Sequence, residues 1–287
     1  MRKLFDILVN NRLHVFFIPI IVTLFWNLSF NLNLPVTYYI LIFVNTAGNY
    51  IYNMITDREE DAVNYPDQGR FLGPSYKATR PLIALCFLLS LCLGMLAGWR
   101  FVIYGFVLNF FGTLYGVPIK LKNGKIFRIK NIPVVKNAYS ALFWSVALLL
   151  TPYFYIHRQP GAGLLLSIAI AFIMAFFVEL LWDVRDIPGD RLASVRTIPI
   201  LLGTPYSKML LHFLNLVTVS LILYGILAGV YPISYYVILP HFLIVLFFIE
   251  WYFRQKDKQF GSHIYLVIAM LTVVSAYVTK YVFISHF

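Results

Sequence analysis

One stretch, "NMITDREED", places polar side chains at helical spacing directly after a long apolar run. Asn53, Asp57 and Asp61 recur every four residues, and Asn49 lies one turn earlier. If the helix continues through this acidic end, all four side chains share one face. Amide and carboxylate oxygens are the ligands that hard divalent cations prefer. The spacing therefore predicts a face that binds metal at the end of the second apolar segment.

A second stretch, "ELLWDVRDIPGD", repeats this arrangement at the end of the sixth apolar segment. Its acids follow one another at i, i+4, i+7 and i+11, again one helix face, and they are Glu179, Asp183, Asp186 and Asp190. We expect the helix to end or kink at Pro188 and Gly189, before the last acid. Both stripes are expected to point inward, because a carboxylate that faces lipid is costly.

Stacked carboxylates repel one another, and no run of lysines lies within either stripe to offset them. We therefore expect a cation from outside the chain, and Mg²⁺ in particular shares its coordination between a few carboxylates and substrate phosphates. A single acidic helix end is common where a helix meets water. Two such ends with the same periodicity favour a functional site over two solvated helix ends. The predicted ligands of a metal-bridged diphosphate are Asn53, Asp57, Asp61, Asp183, Asp186 and Asp190, and the five aspartates are also the predicted catalytic residues.

Other side chains near these stretches are suited to binding a substrate. Lys120, Lys122 and Arg196 could neutralise a diphosphate leaving group, and most of the remaining basic residues are assigned to lipid headgroups. An aromatic face stabilises an allylic cation, which makes Tyr115 a candidate for the substrate cavity. Asn137 is expected either to bond a metal-bound water or a substrate oxygen, or to pack helices together.

The composition is that of a membrane protein. Of the 287 residues, 60% are hydrophobic and only 12% are charged. Segments long enough to cross a hydrocarbon core of roughly 30 Å number nine, at about 13–31, 36–56, 81–99, 101–119, 132–152, 162–182, 209–229, 233–253 and 264–284. The first is expected to be a retained helix after a short amphipathic lead-in that includes Leu4, Phe5 and Leu8. Cys86 and Cys92 are expected to be core residues.

Basic residues are distributed unequally between the two sides of this predicted bundle. One side carries 20 of the 23 Lys and Arg, and the other carries Arg100, Arg158 and Lys280. The positive-inside rule then places the N-terminus and both acidic stretches in the cytoplasm. Anionic lipid accounts for the net charge of +11, so no nucleic-acid partner is expected.

These residues resemble the UbiA superfamily of intramembrane prenyltransferases. The first signature of that family, Asn-x-x-x-Asp-x-x-x-Asp, is matched by Asn53, Asp57 and Asp61, and its Asp-rich second signature is matched by "DVRDIPGD". Sequences of the family also resemble the segments "DAVNYP", "YGVPIKLK", "VVKNAYSA" and "VRTIPILLG". Many members of the family carry a Lys or Arg followed by proline soon after the first signature. Here that pair comes later, as Arg80 and Pro81, and Arg70 could take the place of its basic residue.

The resemblance implies an all-α fold of nine transmembrane helices around a central cavity, formed by residues 1–287 as a single domain. It also implies that Mg²⁺ holds a prenyl diphosphate, which loses diphosphate and alkylates an aromatic, quinone-precursor-like acceptor or a lipid acceptor. A terpene cyclase of the same superfamily would use the same metal site. From another class, an ion-coupled transporter would also place acids within a membrane. A phosphoalcohol transferase is disfavoured, because its Asp-Gly and Ala-Arg elements do not accompany Asp57 or Asp186.

Overall fold

A computed structural model describes residues 13–56, 63, 76–117, 119–120, 126–192 and 194–279, and most of these residues are helical. The α-helices are α1 (Ile18–Phe30), α2 (Val36–Thr56), α3 (Tyr76–Met95), α4 (Trp99–Leu114), α5 (Val135–Leu149), α6 (Thr151–Tyr155), α7 (Ala162–Leu192), α8 (Ile198–Leu202), α9 (Thr204–Leu227), α10 (Leu239–Arg254) and α11 (Lys258–Val278). A short antiparallel pair, β1 (Ile119–Lys120) and β2 (Ile126–Phe127), lies between α4 and α5. The all-α class predicted from the sequence is confirmed.

Five helical segments of the described chain are both long enough and apolar enough to cross a membrane. They are Val135–Tyr155, Gly163–Leu192, Thr204–Leu227, Tyr235–Arg254 and Lys258–Ala276. Shorter apolar helices cover Val15–Asn27, Thr79–Met95 and Trp99–Leu114. The protein is therefore an integral membrane protein, as its composition predicted.

Helix α7 is longer than the sequence predicted. The expected end before Asp190 is wrong, because the helix runs through Pro188 to Leu192. A proline removes the hydrogen bond to the carbonyl four residues earlier, here that of Val184, but it leaves the rest of the helix intact. The continuous helix carries Asp183, Asp186 and Asp190.

The chain divides into two compact units. The first consists of Met1–Ile132, Thr151–Arg158 and Pro188–Val195, and the second of Pro133–Leu150, Gln159–Ile187 and Arg196–Phe287. In the first unit α2 packs against α1, α3 and α4. A Cβ on Gly48 would lie 3.1 Å from Cβ of Cys86, so the missing side chain lets α2 approach α3 closely.

The two cysteines of α3 have different environments. Cys86 is buried beside Ala47 and Ile51 of α2, which confirms it as a core residue. Cys92 is exposed, so its assignment to the core was wrong. Six residues on a helix correspond to about 600° of rotation, which carries the second cysteine to a different face. Both thiols are free.

A cluster of amides joins three helices inside the first unit. Oδ1 of Asn109 on α4 accepts hydrogen bonds from Nδ2 of Asn45 at 3.2 Å and from Nδ2 of Asn49 at 2.9 Å, both on α2. Asn45 also donates to Oγ of Ser90 on α3 at 3.1 Å. Interhelical hydrogen bonds of this kind hold membrane helices at a fixed rotation. The cluster thus fixes the face that α2 presents one turn before Asn53.

Replacing Asn109 with alanine is expected to destabilise the first unit by about 1 kcal/mol, because the amides of Asn45 and Asn49 lose their shared acceptor. The measurement is the thermal unfolding midpoint of the purified protein in detergent. Asn131→Ala, at an exposed asparagine of the same unit, is the matched control and is expected to leave the midpoint unchanged. Equal midpoints for the two variants would contradict a stabilising role for the amide cluster.

In the second unit α10 packs against α9 and α11, and the 3₁₀ segment Ile233–Ile238 contacts all three helices. Tyr231, just before that segment, is bonded through its hydroxyl to Oγ of Ser167 on α7 at 2.7 Å. The fully buried Tyr252 of α10 donates its hydroxyl to the carbonyl of Leu181 on α7 at 3.0 Å. These bonds attach α7 to the helices that follow it.

Candidate active site

The second acidic stripe lies on α7, and its first aspartate is already bound on both oxygens. Oδ1 of Asp183 accepts from Nζ of Lys136 at 2.6 Å, and Oδ2 accepts from Nδ2 of Asn137 at 2.8 Å. Asp183 is 2% exposed and Asn137 is completely buried. The Nδ2 of Asn137 joins α5 to α7, as the helix-packing role requires, and a bond from this residue to substrate or a metal-bound water stays a prediction.

The same face of α5 binds a second acid of the stripe. Ser140, one turn after Lys136, donates its hydroxyl to Oε1 of Glu179 at 2.6 Å. Three donors of α5 therefore meet two carboxylates of α7. The expected cation from outside the chain is thus not the sole positive charge beside the stripe, because a lysine of a neighbouring helix pairs with Asp183. Lys136 and Ser140 were missed, although their spacing on one helix face, complementary to the acids, was a signal that could have revealed them.

Asp186 has a different kind of partner. The guanidinium of Arg185, its neighbour in sequence, donates from Nε to Oδ1 at 2.8 Å and from Nη2 to Oδ2 at 2.7 Å. The same guanidinium lies 5.5 Å from the ring centroid of Trp182, and its Nη1 is 3.4 Å from Oγ of Ser262. Asp186 is 20% exposed, so this carboxylate is far more accessible than that of Asp183.

Asp190 lies on the last turns of α7 and is almost completely buried. Its carbonyl accepts from the backbone N–H of Val195 at 2.8 Å, which folds the chain back after the helix ends. Asp186 and Asp190 are separated by one helical turn, the spacing that puts two side chains on one face. Arg196, the predicted diphosphate residue that follows, is exposed.

The described part of the first acidic stretch ends with α2. Asn53 lies in the last turn of that helix, and Thr56 is its final residue. A Cβ on Gly116, which follows α4, would lie 3.4 Å from Oγ1 of Thr56 and 3.8 Å from Oδ1 of Asn53, so the glycine allows the chain to pass close to this helix end. Nη1 of Arg128 donates to the carbonyl of Thr56 at 3.3 Å. Asp57 and Asp61 lie outside the described residues.

The segment between α4 and α5 carries the remaining predicted binding residues. Tyr115 is partly buried and its carbonyl accepts from the N–H of Lys130 at 3.4 Å, while Lys120 is exposed on β1. Lys122 lies outside the described residues. Two other basic residues of this segment lie against the protein. Nη1 of Arg128 reaches the end of α2, and the side chain of Lys130 is buried, at 3% exposure.

The donor chemistry of the acidic stripes fits Mg²⁺, which favours carboxylate and carboxamide oxygens. Within the described residues, however, no three His, Cys, Asp or Glu side chains form a group that could hold a metal ion by themselves. Asp57 and Asp61 are not among those residues. Oδ1 of Asn137 is buried and has no hydrogen-bond partner there, so one oxygen beside Asp183 has unused capacity to accept a hydrogen bond.

Comparison with known proteins gives a consistent assignment. A model of the UbiA prenyltransferase family matches residues 16–279. The digeranylgeranylglyceryl phosphate synthase of Thermococcus gammatolerans is 25% identical over 223 residues, which cover 77% of this chain and 75% of that protein. The synthase of the same name from Thermococcus kodakarensis is 24% identical over 245 residues, covering 83% of this chain and 82% of that one.

Solved structures show the same fold. A UbiA homologue from Archaeoglobus fulgidus bound to GPP and Mg²⁺ superposes with a TM-score of 0.70 at 16% identity, covering 94% of this chain and 96% of that chain. A structure of a digeranylgeranylglyceryl phosphate synthase gives a TM-score of 0.62 at 18% identity, covering 97% of this chain and 98% of that chain. With the family model matching nearly its whole length, the chain belongs to the UbiA prenyltransferase family.

Proposed function

We propose that the protein transfers a prenyl group from a prenyl diphosphate to an acceptor within the membrane, in a reaction that requires Mg²⁺. The observation that carries the proposal is the acidic face of α7, with Asp186 and Asp190 one turn apart on an integral membrane helix of a UbiA family member. The homologue with bound GPP and Mg²⁺ supports the choice of substrate and metal.

Asp57, Asp61, Asp186 and Asp190 are proposed to hold Mg²⁺ directly or through water, with Asn53 in support. When bound, Mg²⁺ supplies positive charge that offsets the diphosphate as its bond to the prenyl carbon breaks. Asp183 belongs to the same motif, but both of its oxygens already have partners. Lys120, Lys122 and Arg196 are proposed to neutralise the departing diphosphate, and Tyr115 to face the allylic carbon, where a ring stabilises positive charge.

The acceptor is proposed to be a lipid with a glycerophosphate head and a free hydroxyl, and an aromatic quinone precursor is the other acceptor to be tested. The names of the relatives support the lipid, since several are digeranylgeranylglyceryl phosphate synthases. In this reaction the hydroxyl oxygen forms a bond to the prenyl carbon while the carbon–oxygen bond to diphosphate breaks. A carboxylate of the second motif is proposed to take the hydroxyl proton, which raises the nucleophilicity of the oxygen.

The whole chain, residues 1–287, is proposed to act as one domain with nine membrane helices around a central cavity. The four segments beyond the five long apolar helices would be α1 to α4, which have the apolar character of membrane helices but are shorter or carry more polar residues. The active site is proposed to face the cytoplasm, because 20 of the 23 Lys and Arg fall on that side of the predicted arrangement.

The experiment that tests the function measures diphosphate release by the purified protein in detergent, with geranyl, farnesyl or geranylgeranyl diphosphate. Each substrate is given alone, with a glycerophosphate lipid, or with a phenolic acceptor, first with Mg²⁺ and then with EDTA. We expect release that depends on both Mg²⁺ and the lipid, and a prenylated lipid by mass spectrometry. Release without any acceptor, yielding a cyclic or hydrated hydrocarbon, would instead identify a cyclase. No release under any condition would contradict the proposal.

A further inference from the structure

We propose that Lys136 is the permanent counter-ion of Asp183, and that this carboxylate positions α5 against α7 and is not a metal ligand. The inference rests on the proposed function, because it assigns separate roles within the same acidic motif. The three residues that carry it, Lys136, Asn137 and Asp183, all belong to the second unit.

Both oxygens of Asp183 already accept a donor, and the side chain is 2% exposed. The donors are Lys136 at 2.6 Å and Asn137 at 2.8 Å, and both come from α5. A metal ion at Asp183 would have to enter between α5 and α7, where water scarcely reaches, and compete with these donors. A displaced ammonium or amide would then be left without its acceptor, which is the unfavourable outcome when a buried polar pair is broken.

The Arg185 pair at Asp186 is built differently, although its distances are similar. Both residues belong to α7, so the hydrogen bonds between Arg185 and Asp186 do not themselves join that helix to another one. The guanidinium also contacts the ring of Trp182 and lies near Ser262, so it has other interactions to retain after leaving Asp186. Arg185 is therefore an exchangeable counter-ion, and a metal ion can replace it at the more exposed carboxylate.

The acidic stripe thus divides into two halves along α7. Glu179 and Asp183 receive donors from Ser140, Lys136 and Asn137 of α5. Asp186 and Asp190 form the half assigned to metal. Neutralising Asp183 inside the protein also lowers the repulsion that its charge would exert on Asp186, one turn away. Lys136 therefore sets how many negative charges the stripe presents to a cation.

The first test is thermal unfolding of the purified protein in detergent with EDTA, so that no metal contributes. Asp183→Asn and Lys136→Met are each expected to lower the midpoint by at least about 5 °C, because each breaks a buried pair. Lys136→Arg should restore most of the loss. The double variant, Asp183→Asn with Lys136→Met, should lose less in its midpoint than the sum of the two single losses.

A higher or unchanged unfolding midpoint in Asp183→Asn would overturn the inference. A carboxylate that serves as a metal ligand is crowded by like charges when metal is absent, so its neutralisation would raise the midpoint or leave it unchanged. Lys208→Met provides the matched control, since it removes a lysine–carboxylate contact of the same 2.6 Å length to Glu250. That pair is exposed, at 33% and 42%, and should contribute little.

The second test adds Mn²⁺ alone and measures the rise in the unfolding midpoint that ligand binding produces. The rise should persist in Asp183→Asn, and its loss in that variant would show that Asp183 is a ligand and would overturn the inference. It should disappear in Asp186→Asn. A rise that persists in Asp186→Asn would contradict the metal assignment of the proposed function. The inference about Lys136 and Asp183 would still be tested separately, because their coupling is measured in EDTA without any metal.

Discussion

Asp186→Asn is expected to reduce prenyl transfer by at least about a hundredfold, because the variant loses a proposed metal ligand, and even outer partners of a metal commonly contribute ten- to a hundredfold. The substitution preserves the shape of the side chain and removes its charge. The measurement is the rate of diphosphate release with saturating Mg²⁺ and acceptor. Asp57→Asn is expected to have the same effect through the first motif.

Asp257→Asn is the matched control for this prediction, because it also neutralises one aspartate of the second unit. Oδ1 of Asp257 caps α11 by accepting from the N–H of Phe260 at 2.9 Å. Asparagine caps a helix about as well as aspartate, so the fold and the rate should both be kept. A normal rate in Asp186→Asn, at a normal unfolding midpoint, would contradict the assignment of this carboxylate to the metal site.

Gly261→Ala is expected to destabilise the second unit by roughly 1–3 kcal/mol, the usual cost of overpacking a core. A Cβ at this position would lie 2.6 Å from Cδ2 and 2.9 Å from Cε2 of Tyr252, whose side chain is fully buried. A shift of this ring would also strain its hydrogen bond to the carbonyl of Leu181, two residues before Asp183. We therefore expect a lower unfolding midpoint together with a lower rate of transfer.

Gly105→Ala makes the same change in α4, where a Cβ would meet nothing within 4 Å. The higher helix propensity of alanine should there stabilise the protein by up to about 1 kcal/mol. The two variants thus differ in the sign of their effect on the unfolding midpoint. If Gly261→Ala were as stable as Gly105→Ala, the close approach of α11 to Tyr252 would be ruled out.

The acidic motifs were accessible to sequence reasoning because helical periodicity is a local property. Spacings of three and four residues place Asp183, Asp186 and Asp190 on one face whatever surrounds the helix. Apolar runs of sufficient length predicted the five long membrane helices of the described residues for a similarly local reason, since a helix within lipid must satisfy its own backbone. The end of α7 was placed too early, because proline weakens a helix locally and does not decide whether the next turn continues.

What each carboxylate of the stripe does was decided by tertiary structure. Asp183 and Asp186 are equivalent in the sequence pattern, yet one is held by α5 and the other by its own neighbour, Arg185. Lys136 and Asp183 are 47 positions apart, and the spacing along either helix contains no information about which face of α5 meets α7. The sequence alone thus established the membrane-helical class, the family and the acidic face of α7. The packing of one helix against another decided which acids already have a positive partner, because an ion pair between helices depends on their relative rotation and depth.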